Sequence, residues 1–271
     1  MRQLIESNGF YFLEKDKRGD KKIVENILYV GAMSHPGGGR NDIPDRLKRH
    51  FFTFNMTPPS QQSIDNIYGS MLRGRFEDIP ALASHVSAIT SATIELWLSV
   101  KAKMLPTPSK FHYIFTMREL SRVFQGVLFS PLDVVSKGQT LIALWKHECD
   151  RVFSDKLTSF KDKKWFEENL WKIMSSKFGD HITSDFQSLK EPIYFVDFLR
   201  DEIVDEDTDE ILEEAPKIYE RVPSVAGLRQ RVDDYLAKYN AQAGGVKPMQ
   251  LVMVRTGAQH RARTHAARDC R

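Results

Sequence analysis

Two arginines on a short predicted helix are the residues whose type and spacing best suit chemistry in this chain. Arg46 and Arg49 stand about one helical turn apart, and Pro44 is a residue that can open such a helix. The loop before them, residues 37–42, is too rich in glycine for a helix or a strand. It follows an apolar run, residues 27–33, that predicts a buried strand. Ligands of open α/β sheets bind at such strand ends, so this loop and cationic helix form a candidate site.

Several interpretations of the glycine-rich loop compete. A phosphate-binding loop would have the pattern G-x-x-x-x-G-K-[ST], which occurs nowhere in the chain. A dinucleotide-binding loop would have G-x-G-x-x-G at the start of a long helix, and this loop lacks that pattern too. A flexible connector is the simplest interpretation of the glycines alone. A second apolar run, residues 51–54, follows the cationic helix and predicts another strand.

A third arginine, Arg118, is predicted at a helix start, where a positive charge is unfavourable. Thr116 and Glu119 form a capping-box pattern at the start of a predicted helix, which places Arg118 in the first turn. A cation gains nothing from the positive end of the helix dipole, and such exceptions point to function. A solvated arginine remains the simpler interpretation.

The rest of the chain predicts mainly helices. One starts near Ser60, and the clearest runs from Ile79 until Pro106 and Pro108 end it. Two more helices fall within residues 138–176, and another over residues 225–241. The predicted inward positions are Ile64, Ile67, Met71 and Leu72; Ile79, Leu82, Val86, Ile89, Thr93, Leu96, Trp97, Val100 and Met104; Leu141, Leu144, Trp145 and Val152; Trp165, Phe166, Leu170 and Ile173; and Leu228, Val232, Tyr235 and Leu236.

Composition excludes several classes of protein. The formal net charge of +3 calls for neither nucleic acid nor a membrane surface, and no run approaches the length of a membrane span. The two cysteines, Cys149 and Cys270, do not form a disulfide framework. His147, Glu148 and Cys149 are adjacent on a helix and point to different sides, so we interpret them as structural and predict no metal site. The acidic run over residues 201–214 predicts a solvated linker.

Several strings of the sequence are similar to one family. They are GAMSHPGGGRNDIP (31–44), RLKRHF (46–51), MLPTPSKFHYIF (104–115), LWKHEC (144–149) and YFVDF (194–198). In this order they resemble the dynein heavy chain, specifically the third AAA+ module of axonemal, outer-arm-type chains. The resemblance covers about residues 1–253.

The resemblance implies an α/β remnant of an AAA+ core followed by a mainly α-helical lid, mostly α overall. Residues 1–55 would be the C-terminal part of the core and 56–190 the lid. Residues 191–253 would be an acidic linker and the first helix toward the fourth module. Residues 254–271 depart from the family as a basic tail without an apolar stripe, which suggests a frameshift or gene-model artefact.

The resemblance also assigns roles. Arg49 would be the arginine finger that acts on the neighbouring module's nucleotide, with Arg46 as second choice. Ser34 would be sensor 1 and Arg118 sensor 2. The intact ring would use ATP/ADP with Mg²⁺. The Walker A and Walker B motifs would lie before Met1, so this chain would neither hydrolyse ATP alone nor bind nucleotide in isolation.

By resemblance, the chain would be a fragment of an ATP-driven, minus-end-directed microtubule motor in the axoneme of cilia or flagella, within the cytoplasmic cytoskeleton. Its partners would be neighbouring AAA+ modules of the same heavy chain and, through the whole motor, microtubules and dynein intermediate and light chains. No membrane or nucleic-acid partner is expected. The alternative is a stand-alone, ATPase-dead helical interaction module whose basic tail binds an acidic partner.

Overall fold

The computed structural model describes residues 1–33, 42–189, 191–201, 203–204, 211–213, 215–242 and 249–251. The chain divides into two compact units, Met1–Pro58 and Pro59–Arg271. Among the described residues, every helix is too short or too polar to span a bilayer.

The described residues of the first unit form two short helices and one strand pair. Helix α1 (Arg2–Ser7) ends at Asn8, which adopts the left-handed conformation with φ 49° and so turns the chain into the first strand. Strands β1 (Gly9–Tyr11) and β2 (Lys21–Ile23) pair antiparallel around a 3₁₀ turn, Lys15–Lys17. Helix α2 (Asp45–Lys48) follows Pro44, as the sequence predicts.

The two predicted buried strands of this unit are wrong. Residues 27–33 and 51–54 have no strand structure, and Leu28, Val30 and Phe52 are 88, 89 and 92% exposed. A strand needs a neighbouring strand for its backbone hydrogen bonds and a packed layer for its apolar side chains. Among the described residues of this unit only Gly9 is buried, so the unit supplies no such layer.

The second unit is a helical domain, which confirms the prediction of a mainly helical chain. Its helices are α3 (Gln61–Ile64), α4 (Ser70–Phe76), α5 (Pro80–Lys103), α6 (Met117–Phe129), α7 (Gly138–Val152), α8 (Phe160–Phe178) and α9 (Asp180–Gln187). A 3₁₀ turn, Ser154–Lys156, precedes α8. Ser60 caps α3 because its hydroxyl accepts a hydrogen bond from the Ser63 backbone N–H, 3.1 Å away.

The predicted inward face of the first helix is partly wrong. Ile64 and Leu72 are buried, but Ile67 and Met71 are about half exposed. A π-helical turn, Asp65–Gly69, joins α3 to α4 and widens the helix. The residues that face the core therefore recur every four positions, and they are Ile64, Tyr68, Leu72 and Phe76.

The long apolar stripe of α5 packs against the following helices, as predicted. Leu82, Val86 and Leu96 on this helix are buried. Its buried Thr93 accepts a hydrogen bond from the indole Nε1 of Trp145 on α7 at 2.8 Å. The Thr93 hydroxyl in turn donates to the Ile89 carbonyl at 2.6 Å. The Trp145 indole and the Thr93 hydroxyl are thus both paired inside the apolar core, whereas the buried Trp97 Nε1 atom on the same helix has no hydrogen-bond partner among the described residues.

Short strands and one more helix follow the helical bundle. Strand β3 (Phe195–Val196) pairs antiparallel with β6 (Glu220–Arg221), and β4 (Ile203–Val204) with β5 (Ile211–Glu213). The β4–β5 pair lies within the acidic run that predicts a linker. Helix α10 (Val225–Gln242) buries its predicted Leu228 and Val232.

The burial predicted for the second half of α10 is wrong. Tyr235 is 40% exposed and Leu236 is half-buried. Both face a cleft of about 450 Å³, which Tyr239 and Met249 also line. The helical period places these residues on one face but does not decide whether another element covers that face.

One buried carboxylate joins the helical bundle to the segment after it. Glu148 on α7 accepts hydrogen bonds from Arg151 Nε and Nη2, at 2.9 and 2.6 Å, and from the Tyr219 hydroxyl at 2.5 Å. The buried Ser130 hydroxyl also donates to the Tyr219 carbonyl at 2.8 Å. Burial and the negative charge of Glu148 raise the pKa of Tyr219 well above its usual value, so the phenol stays a donor.

Candidate functional site

The structure brings Arg46 and Arg49 together on one carboxylate. Arg46 lies in α2 and Arg49 directly after it, and their side chains are 62 and 60% exposed. Both point to Glu6 of α1. The Arg49 Nη2 atom donates to Glu6 Oε1 at 3.1 Å, and the Arg46 Nε atom lies 3.8 Å from the same oxygen.

Two further residues complete this cluster, which we call the Glu6 cluster: Arg2, Glu6, Arg46, Arg49 and His50. Arg2 Nε lies 3.6 Å from Glu6 Oε2, and His50 Nε2 lies 3.4 Å from Oε1. Arg49 Nε also lies 3.2 Å from His50 Nε2.

Charge is not balanced in the Glu6 cluster. Desolvation raises the pKa of Glu6, but the hydrogen bond from His50 and the charges of Arg46, Arg2 and Arg49 outweigh it and lower the pKa. Glu6 is therefore negative at neutral pH. Three guanidinium groups surround this single negative charge, so the cluster keeps a net positive charge. Exposed guanidinium groups with surplus positive charge can bind the oxygens of an anionic ligand such as a phosphate.

Sequence reasoning missed Glu6, Arg2 and His50. The four-residue spacing of Arg2 and Glu6 on α1 is a local signal for an ion pair. The contact between α1 and α2 joins residues more than 40 positions apart, which no local pattern indicates. Ser34, the predicted sensor 1, lies outside the described residues.

Arg118 lies in the second unit, at the start of α6, where the sequence predicts it. The capping box is confirmed: the Thr116 hydroxyl accepts from the Arg118 backbone N–H at 3.3 Å, and Glu119 Oε2 accepts from the Thr116 backbone N–H at 2.7 Å. The Arg118 side chain is exposed, and within the described part of the chain no carboxylate pairs with it. It is therefore available to an anionic group outside this unit.

Glu119 is the anchor of this helix start. Its Oε1 atom also accepts from Lys156 Nζ at 3.0 Å. Burial raises the pKa of Glu119, but the hydrogen bonds from Thr116 and Lys156 and the charge of Lys156 outweigh it and lower the pKa below its usual 4.5. The ionised form of Glu119 is therefore more favoured in the folded state than in the unfolded state, so ionisation of Glu119 stabilises the fold.

The Glu119→Gln variant is expected to lose about 1–2 kcal/mol of stability at pH 7, because the neutral amide cannot replace the charged contacts. A lowered pKa gives stability that is present above about pH 4.5, the unfolded value, and is lost as the pH falls through the folded value. Chemical denaturation of both proteins from pH 7 to pH 3 measures this difference. We expect the gap to close at acidic pH, whereas the exposed Glu168→Gln control should show no gap at either end. A gap that stays constant with pH would contradict this assignment.

The adjacent His147, Glu148 and Cys149 serve the core. All three side chains are buried, and the His147 Nδ1 atom lies 3.2 Å from the Ile193 carbonyl oxygen. Burial, with the charges of Asp150 and Glu148, raises the pKa of the Cys149 thiol well above its usual value. Among the described residues, no three His, Cys, Asp or Glu side chains form a group that could hold a metal ion.

The residues present fit one end of a nucleotide. The guanidinium groups of the Glu6 cluster suit the terminal phosphates, whose negative charge they match. A phosphate-binding loop pattern is not in the sequence, and the described residues offer no cluster of carboxylates for Mg²⁺. The described residues of this site can therefore contribute cationic charge toward a phosphate group.

Two family models match the chain. The one described as P-loop containing dynein motor region covers residues 1–59, and the one described as AAA+ lid domain covers residues 89–188. The helical fold and these two matches therefore define a piece of an AAA+ dynein motor region with its lid domain.

Similar proteins are axonemal dynein heavy chains. The gamma chain of the flagellar outer arm dynein of Chlamydomonas reinhardtii is 41% identical over 94% of this chain, and axonemal heavy chain 5 of Rattus norvegicus is 40% identical over 96%. Human axonemal heavy chain 2 is 34% identical over 93%. This chain spans only 6, 8 and 5% of these relatives' lengths. The chain belongs to the axonemal dynein heavy chain family.

Proposed function

We propose that this chain is a segment of the motor ring of an axonemal dynein heavy chain of the outer-arm type. Residues 1–55 form the C-terminal part of the third AAA+ core, 56–190 its lid, and 191–253 the connection to the fourth module. The outer-arm assignment is supported by the similarity to the gamma chain of the flagellar outer arm dynein of Chlamydomonas reinhardtii. The whole motor moves along microtubules in the axoneme by hydrolysing ATP with Mg²⁺, and its neighbours are other modules of the same heavy chain.

In this ring Arg49 is the arginine finger, with Arg46 beside it. It stabilises the negative charge that develops on the phosphoryl group transferred in the neighbouring module. The observation that carries the proposal is the Glu6 cluster, where exposed guanidinium groups converge with surplus positive charge. Arg118 takes the role of sensor 2 and Ser34 that of sensor 1.

The exposed apolar segments of the first unit also support a place inside a larger assembly. Leu28, Val30, Phe52 and Phe54 are exposed, and Leu28, Val30 and Phe52 are almost fully so. Exposed apolar surface on this scale is typical of a surface that another part of a protein covers. Neighbouring parts of an AAA+ ring would cover it.

The role of Arg49 is tested by measuring ATP turnover in an intact heavy chain that carries this segment. In that heavy chain, only the nucleotide site of the neighbouring module, on which Arg49 acts, is left able to hydrolyse ATP. The Arg49→Ala variant is expected to lower turnover at least about 100-fold, the size typical of a lost transition-state contact. The Arg49→Lys variant should stay low too, because lysine lacks the planar fork.

A matched control is Arg18→Ala, which removes an exposed arginine elsewhere in the first unit. It is expected to keep wild-type turnover. If Arg49→Ala also turns over at the wild-type rate while Arg46→Ala does not, the finger is Arg46. Wild-type turnover in both variants would disprove the proposal.

A further inference from the structure

We infer that Glu6 is a positioning residue that holds the arginine finger in place. This inference rests on the proposed function of Arg49 and adds a residue to it. Glu6 Oε1 lies 3.1 Å from Arg49 Nη2, 3.8 Å from Arg46 Nε and 3.4 Å from His50 Nε2. One oxygen atom thus gathers the contacts of three side chains from a different part of the chain.

The Glu6 carboxylate offsets the repulsion between Arg46 and Arg49 and limits the motion of their side chains. Arg46 and Arg49 carry like charges, lie close together and have long, exposed side chains with many rotamers. Without an anion between them they would repel each other and sample many positions. A finger works only when its charge is already in place as the reaction proceeds.

Burial and charge also suit Glu6 to this role. Its side chain is 23% exposed, far less than the two arginines it contacts, so the anchor is more enclosed than the groups it holds. The nearby carboxylates of Asp42 and Asp45 contact Lys48 instead, at 2.9 and 3.4 Å. Because the arginines outnumber the carboxylate, Glu6 orients them and leaves positive charge for a phosphate.

The Glu6→Gln variant tests the inference in the same intact heavy chain as above. We expect kcat at the neighbouring module's nucleotide site to fall about 10-fold with an unchanged KM for ATP. A misplaced finger weakens the stabilisation of the transition state but not the binding of the ground state. Glu6→Asp keeps the charge and is expected to restore part of the loss. Glu14→Gln, which removes an exposed carboxylate paired only with Lys17 in the described residues, is the matched control and should not change kcat.

The double variant Glu6→Gln/Arg49→Ala separates positioning from general stability. If Glu6 acts through Arg49, the double variant turns over no more slowly than Arg49→Ala alone. The inference would be overturned if the losses of kcat in the two single variants add up in the double variant. It would also be overturned if the lower kcat of Glu6→Gln is fully explained by a lower melting temperature of that variant. An unchanged kcat in Glu6→Gln while Arg49→Ala is slow would overturn it as well, and this result would leave the finger proposal intact. The Arg49→Ala variant leaves Glu6 unchanged, so a wild-type rate in that variant would remove the role of Arg49 as the finger independently of Glu6, and this inference with it.

Discussion

The Glu148→Ala variant is expected to destabilise the helical unit by about 3–5 kcal/mol, the cost of breaking a buried ion pair. Glu148 is fully buried and accepts hydrogen bonds from Arg151 and Tyr219. Its removal takes this carboxylate away from the charge of Arg151, whose side chain is only 10% exposed. The Tyr219 hydroxyl, buried against α7, also loses its acceptor.

Thermal unfolding followed by helical circular dichroism measures this effect. We expect the melting temperature to fall by about 10 °C in a unit of this size. Glu168→Ala is the control, because Glu168 is exposed and its lysine partner is 4.0 Å away; it should change stability by less than about 0.5 kcal/mol. A similar small change in Glu148→Ala would show that the buried network contributes little.

Gly126→Ala is expected to destabilise the same unit by about 3 kcal/mol, the upper part of the range for overpacking a core. Gly126 lies inside α6, where alanine normally stabilises a helix by up to about 1 kcal/mol. At this position, however, a Cβ atom would overlap the carboxylate of Glu148. That carboxylate cannot move aside without losing its hydrogen bonds to Arg151 and Tyr219.

Gly74→Ala is the matched control, because at this position the change from glycine to alanine is expected to stabilise the helix. Gly74 also lies in a helix, α4, and nothing lies within 4 Å of the position its Cβ would take. We expect this variant to be more stable than the wild type by about 0.5–1 kcal/mol. Denaturant titration of both variants gives the comparison. Stabilisation by both substitutions would mean that α6 does not approach Glu148 as closely as the structure describes.

The sequence alone determined the helical part of this protein. Helix α5 has an apolar stripe along its length and prolines just beyond its end, and both signals are local. The capping box of Thr116 and Glu119 fixed the start of α6 for the same reason, since its partners are three residues apart. The shared strings also placed the chain in its family, because ordered matches of that length do not depend on the fold being known.

The tertiary structure decided what depends on distant partners. Residues 27–33 and 51–54 have the apolar composition of strands, yet no described neighbour in their unit pairs with them. Tyr235 has the spacing of a core residue but faces a cleft. The Glu6 cluster and the burial of Glu148 arise from contacts between residues 43 and 71 positions apart, respectively. Local periodicity fixes which face a side chain occupies, whereas only the folded chain decides what that face meets.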